Sequence, residues 1–183
     1  MEAATWETCR ADFAFDGAAG ALIDLLCPGT GAAEWEAFWA ALRAGPFELR
    51  AFRDGEPIPP PESAAWAFAE RQLASIMVSV LSDAVTANCH FFGGDLELDI
   101  DPREVVTEVA FASVLAVMRF VAAAVGLPVV AASENSGPAS AFLRVSPDGQ
   151  ASFLRAGSVR RDEPGSPGRH WPMIVSKAAR RSS

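Results

Sequence analysis

The chain has 183 residues, half of them apolar and 21% charged, a size and composition that suit one domain with a real hydrophobic core and exclude a natively disordered chain. Its formal charge of −8 is uneven: residues 1–154 carry 8 basic and 21 acidic side chains, whereas residues 155–183 carry 7 basic and 2 acidic ones. An acidic domain of this kind should repel nucleic acid and anionic membrane, and it should attract a basic protein.

The first residues, Met1 to Glu7, are acidic and have no apolar stretch of the signal-peptide type. Cys9, Cys27 and Cys89 are an odd number of cysteines with no C-x-x-C spacing. Free thiols in a reducing, cytoplasmic compartment are therefore expected, rather than a disulfide scaffold or a zinc finger. Asp12 to Asp16 alternates like a strand, and Ala21 to Leu26 fits either a strand or a helix. After the turn Pro28–Gly31, residues Trp35, Phe38, Trp39 and Leu42 make one helical stripe that ends at Gly45–Pro46. Phe47, Leu49 and Ala51 then alternate with charged residues in a half-buried strand closed by Asp54–Gly55.

Pro57–Pro61 is excluded from a central strand, because proline cannot donate to the ladder, and reads as a stiff extended connector. A short helix follows from Glu62 to Gln72. Ile76 to Phe92 is rich in Val, Ile and Phe and reads as strands broken near Ser82–Asp83, with Gly93–Gly94 as a hairpin turn. Leu96, Leu98 and Ile100 then alternate with Asp95, Glu97, Asp99 and Asp101. Asp101–Pro102–Arg103–Glu104 carries the N-cap, first-turn proline and capping-box signals of a helix start, and predicts a buried central helix over 103–125 that stops at Gly126. That segment has the length of a membrane span, but Glu108, Arg119 and its caps favour a core helix. Short strands are expected at Val129–Ala132, Ala141–Val145 and Ala151–Leu154.

The expected fold is α+β: a mixed, mainly antiparallel sheet of five to seven strands with two or three helices packed on it. Residues 1–157 form this single domain, and residues 158–183 form a flexible basic tail in which only Trp171–Val175 could dock.

Motifs of catalysis are scarce. No phosphate loop, G-x-S-x-G elbow, H-E-x-x-H or G-x-G-x-x-G occurs. Cys89 and His90 are adjacent on a strand, so they face opposite ways and cannot form a nucleophile–base pair. The one set with chemical potential is His90 with the row Asp95, Glu97 and Asp99. Same-face carboxylates can ligate a divalent cation, yet a strand spaces them nearly 7 Å apart, so two could share an ion and the whole row could not. The other reading gives Asp95, Glu97 and Asp99 to a charged contact surface. No cofactor is implied, and the balance is towards a non-enzymatic protein.

Asn88–Cys89–His90–Phe91–Phe92, Asp99–Ile100–Asp101–Pro102–Arg103–Glu104 and Glu134–Asn135 together resemble an N-x-HFF, DxDPRE, EN pattern of small uncharacterised bacterial proteins. The resemblance spans about residues 35–145 and implies a shared α+β fold, with no activity attached to it. In size, charge and architecture the chain is also similar to the immunity proteins of bacterial toxin systems, which implies an inhibitor that masks a basic toxin.

Overall fold

The computed structural model describes residues 2–14, 22–92 and 94–154. The expected tail from residue 158, and Gly93 of the expected hairpin turn, lie outside the described residues.

Among the described residues ten strands form one sheet: β1 (Glu2–Ala3), β2 (Ile23–Cys27), β3 (Glu48–Arg53), β4 (Glu56–Ile58), β5 (Ile76–Leu81), β6 (Thr86–His90), β7 (Leu96–Ile100), β8 (Val129–Ser133), β9 (Leu143–Val145) and β10 (Ala151–Phe153). Their spatial order is β1-β10-β9-β8-β2-β7-β6-β5-β3-β4, and every neighbouring pair is antiparallel. Four α-helices accompany it: α1 (Trp6–Cys9), α2 (Ala32–Ala44), α3 (Ala64–Glu70) and α4 (Glu108–Val125). The α+β class holds, but the expected five to seven strands in a mixed sheet do not. β1 and β4 have two and three residues, too short to show a period-two pattern, and β2 is apolar apart from Asp24 and buried at every position, which leaves strand and helix indistinguishable by periodicity.

One face of the sheet is the core. Ile23, Leu25 and Cys27 of β2, Ala87 and Cys89 of β6, and Leu96, Leu98 and Ile100 of β7 join a single buried cluster with Phe38, Trp39 and Leu42 of α2 and Val114, Met118 and Val121 of α4. Phe91 is a hub of this cluster, in edge or tilted contact with Trp35, Trp39 and Phe68 at centroid distances of 5.3, 5.7 and 5.5 Å. Such ring pairs add about 0.5–1.5 kcal/mol each beyond their area. Trp35 and Trp39 are thus core residues, as their helical spacing implied. Trp39 also donates its Nε1–H to the Pro61 carbonyl at 3.0 Å, and Arg43 donates to the Glu62 carbonyl at 2.8 Å. The proline-rich connector is fastened to α2, and Pro57 sits in an edge strand, where a missing N–H costs nothing.

Two local expectations are corrected. Residues 11–13 form a turn after α1 rather than a strand; Phe13 is buried because it packs edge-on against Phe111 and Phe142. The helix expected over 103–125 is broken. Asp101 does cap, accepting from the Arg103 N–H at 2.9 Å, but it caps only the short 3-10 turn Pro102–Glu104. Glu104 does not reach back to the cap; its Oε2 accepts from the Thr86 N–H at 2.7 Å, on a neighbouring segment. α4 begins afresh with Thr107 as its N-cap and ends at Gly126, whose φ of 70° is the left-handed conformation glycine adopts without penalty. α4 is long and apolar enough to cross a membrane, yet it packs on β8, β9 and α2 as the core helix.

Val114, with no exposed surface, lies at the middle of α4. Val114→Asp is expected to unfold the domain, since an unpaired buried charge costs several kcal/mol. A thermal melt little changed from the parent would overturn the core assignment of α4.

Candidate functional site

Antiparallel registry sends every second residue of the central strands to the face away from the helices. Asp24 of β2 stands opposite Asp99 of β7, and Asp99 stands opposite Asn88 of β6, which stands opposite Ser79 of β5. This polar line crosses the middle of the sheet. Ser79 Oγ donates to Asn88 Oδ1 at 2.8 Å, and Asn88 Nδ2 donates to Asp99 Oδ1 at 3.1 Å. The second Asp99 oxygen accepts from His90 Nε2 at 2.8 Å. Asp99 is therefore fully engaged with its neighbours on β6.

At the end of β6, His90, Phe91 and Phe92 alternate in burial: half-buried, buried and exposed. Phe91 enters the core, while His90 and Phe92 stay on the open face and stack, with centroids 5.0 Å apart and planes within 3°. Phe92 is 71% exposed; His90 covers one side of its ring.

Asp24 is the residue that sequence reasoning missed. Only 6% exposed, it accepts one hydrogen bond, from the Asn135 N–H to Oδ2 at 2.9 Å. Asn135 presents that N–H because it sits at φ 59° in the turn after β8, which Glu134 anchors by accepting from the Leu22 N–H at 3.1 Å. Asp24 Oδ1 has no hydrogen-bond partner among the described residues, and neither Asp24 nor Glu97 has an ion-pair partner there. A lone acid inside the apolar run Leu22–Leu26 was the available signal, since an unpaired charge is rarely buried without a reason.

Asp24, Leu26, His90, Phe92, Asp95, Glu97, Asn135 and Pro138 line one cleft of about 350 Å³. The four residues singled out from the sequence are distributed unevenly around it. Asp95 is exposed at its rim and accepts from the Gly29 N–H at 2.8 Å. Glu97 and His90 line its wall, and Asp99 lies alongside, tied to His90. Asp101 pairs instead with Arg103, which holds its carboxyl below the ordinary range. Among the described residues no three His, Cys, Asp or Glu side chains are arranged to hold a metal ion.

The electrostatics follow from that crowding. Burial pushes the Asp24 carboxyl above its ordinary value; the Asn135 N–H opposes this, and Glu134 and Asp99 add to it. Glu97 is likewise raised, by burial first and then by Asp24 and Asp99, with His90 opposing. Nucleophilic thiol chemistry is not available at this sheet, because burial pushes Cys27 up to about 12 and Cys89 also far upward. Comparison with protein-family models, curated proteins and solved structures gives no match.

Asp24 and Glu97 hold protons in the folded state at pH values where the unfolded chain has already released them. Each therefore subtracts stability as pH rises through its folded pKa, and stops doing so below its unfolded one. Asp24→Asn keeps the acceptor for Asn135 and removes the charge that Glu97, Asp99 and Glu134 repel. The variant is expected to melt a few degrees higher than the parent at pH 7, with the gain fading as pH falls towards 3.8, the ordinary aspartate value. A lower melting temperature at pH 7 would mean that the Asp24 charge is compensated in the fold.

Proposed function

We propose that this chain is a non-enzymatic binding domain whose open sheet face receives a basic protein. One observation carries the reading: Asp24, Glu97 and Asp99 crowd the middle of the sheet face away from the helices, where His90 is their one ion-pair contact among the described residues; burial raises Asp24 with help from Glu134 and Asp99, and raises Glu97 with help from Asp24 and Asp99. Like charges placed directly across a strand pair cost stability, and a cation from outside would recover it. The net charge of −13 over residues 1–154 would speed encounter with a positive partner and discriminate against acidic ones.

The concrete version is an immunity-type inhibitor that masks a basic toxin in the cytoplasm. Three buried, unpaired cysteines suit a reducing compartment. Asp95 and Glu97 are the contact residues, Asp95 exposed at the rim and Glu97 on the wall; Asp99 contributes its field more than its oxygens, which His90 and Asn88 already occupy. The divalent-metal reading has less behind it, since among the described residues no three His, Cys, Asp or Glu side chains are arranged to hold an ion.

A toxin-type inhibitor is encoded beside its target, so the partner to test is the basic product of the adjacent gene. Its association with the chain should be fast at low salt and slow steeply as salt is added. The combined variant Asp95→Asn, Glu97→Gln, Asp99→Asn should reduce the association rate roughly tenfold at low salt and flatten the salt dependence. Unchanged rates in stopped-flow measurements would move the interface off this face. Absence of any complex with that product at low salt would remove the immunity version.

A further inference from the structure

We infer that the cleft beside β2 and β7 is a seat for one arginine side chain, held by Asp24 and Glu97 and stacked on Phe92. This rests on the open sheet face being a binding surface, and it names the group that surface takes.

The cleft differs from a merely acidic patch in three respects. It holds a carboxylate, Asp24, that is more than nine-tenths buried and whose Oδ1, still reached by solvent, has no partner among the described residues. A second carboxylate, Glu97, lies on the same wall and makes no hydrogen bond or ion pair among the described residues. Beside the carboxylates, which include Asp95 at the rim, and the polar His90 and Asn135, the lining has an apolar and aromatic part: Leu26, Pro138 and the exposed Phe92 ring. A divalent cation would leave the Phe92 ring, Leu26 and Pro138 unused, and among the described residues no three His, Cys, Asp or Glu side chains are arranged to hold one. An organic cation on an alkyl stem matches every part of the lining.

Among organic cations the guanidinium fits best. It is planar and always charged, offers five N–H donors in a fork that can bridge two carboxylates, and is weakly hydrated, so its transfer into a half-closed cleft costs less than that of an ammonium. Its flat face can lie on the Phe92 ring, which adds cation–π attraction. His90 holds that ring in place from the other side, and is itself fixed by Asp99. Leu26 and Pro138 are then the surface for the methylene stem. On this assignment Asp24 is kept as a destabilising buried acid because its oxygen is needed by the ligand.

The probe is penta-arginine, acetylated and amidated, titrated into the full chain at low salt by calorimetry and by amide NMR; penta-lysine and penta-citrulline serve as controls. Penta-arginine should bind at least several-fold more tightly than penta-lysine, with penta-citrulline not binding, and the shifts should centre on Asp24, His90, Phe92 and Asn135. Asp24→Asn and Phe92→Ala should each weaken penta-arginine binding about tenfold or more. Asp24→Asn should do so while melting no lower than the parent, which separates lost recognition from lost folding. Equal binding of penta-arginine and penta-lysine, unaffected by these two variants but lost in Asp95→Asn with Glu97→Gln, would overturn the arginine seat and leave the acidic face as a binding surface. Failure of both peptides to bind at low salt would overturn the seat and the binding surface together.

Discussion

The antiparallel pairing of β2 with β7 is the constraint from which the rest follows. Ile23 opposite Ile100, Leu25 opposite Leu98 and Cys27 opposite Leu96 bring six apolar side chains to the helix side in one register. A slip of one residue would turn all six to the open face, at a cost of about 1.5–3 kcal/mol for each large side chain exposed. The same register obliges Asp24 to face Asp99. The core therefore pays for the acidic pair: hydrophobic burial is strong enough to hold two repelling carboxylates across a strand pair that neither would choose.

Position in the sheet makes that pair consequential. β7 is an interior strand, with five strands on its β2 side and four on its β6 side, so its backbone groups pair within the sheet and its open face presents side chains alone. The turn after β8 closes one side of the cleft, with Asn135 in left-handed conformation and its N–H on Asp24. The stacked His90 and Phe92 close another. What results is a cleft between defined walls, with carboxylates whose hydrogen-bond capacity is partly unused among the described residues. The second apolar cluster on this side, formed by Leu26, Ala132 and Ala141, is small, and it supports the cleft wall without covering the acids.

Much of the architecture was legible in the residues because it depends on local rules. The Trp35–Leu42 stripe, the break between β5 and β6, the alternation of β7 and the stop at Gly126 all obey period and capping, which need no long-range partner. Asp54–Gly55 turns β3 into β4 with both residues at positive φ, as a two-residue hairpin demands. The false start at Asp101 shows the limit of such rules. Its capping signals are genuine, but Glu104 finds a better acceptor role on the Thr86 N–H, and the helix waits for Thr107.

The alternation of Asp95, Glu97 and Asp99 against Leu96, Leu98 and Ile100 fixed which side chains share a face, since period two is a property of any strand. It could not show what faces them from elsewhere in the chain. Asp24 lies 75 residues before Asp99 and joins it only through strand pairing, and Asn135 reaches Asp24 across 111 positions. Phe92 is indistinguishable from Phe91 by composition; one packs in the core and the other is exposed. Local pattern thus decided the elements and their apolar faces, while the meeting of Asp24, Glu97, His90 and Phe92 in one cleft was decided by sheet order and register, which are set by packing between segments distant in the chain.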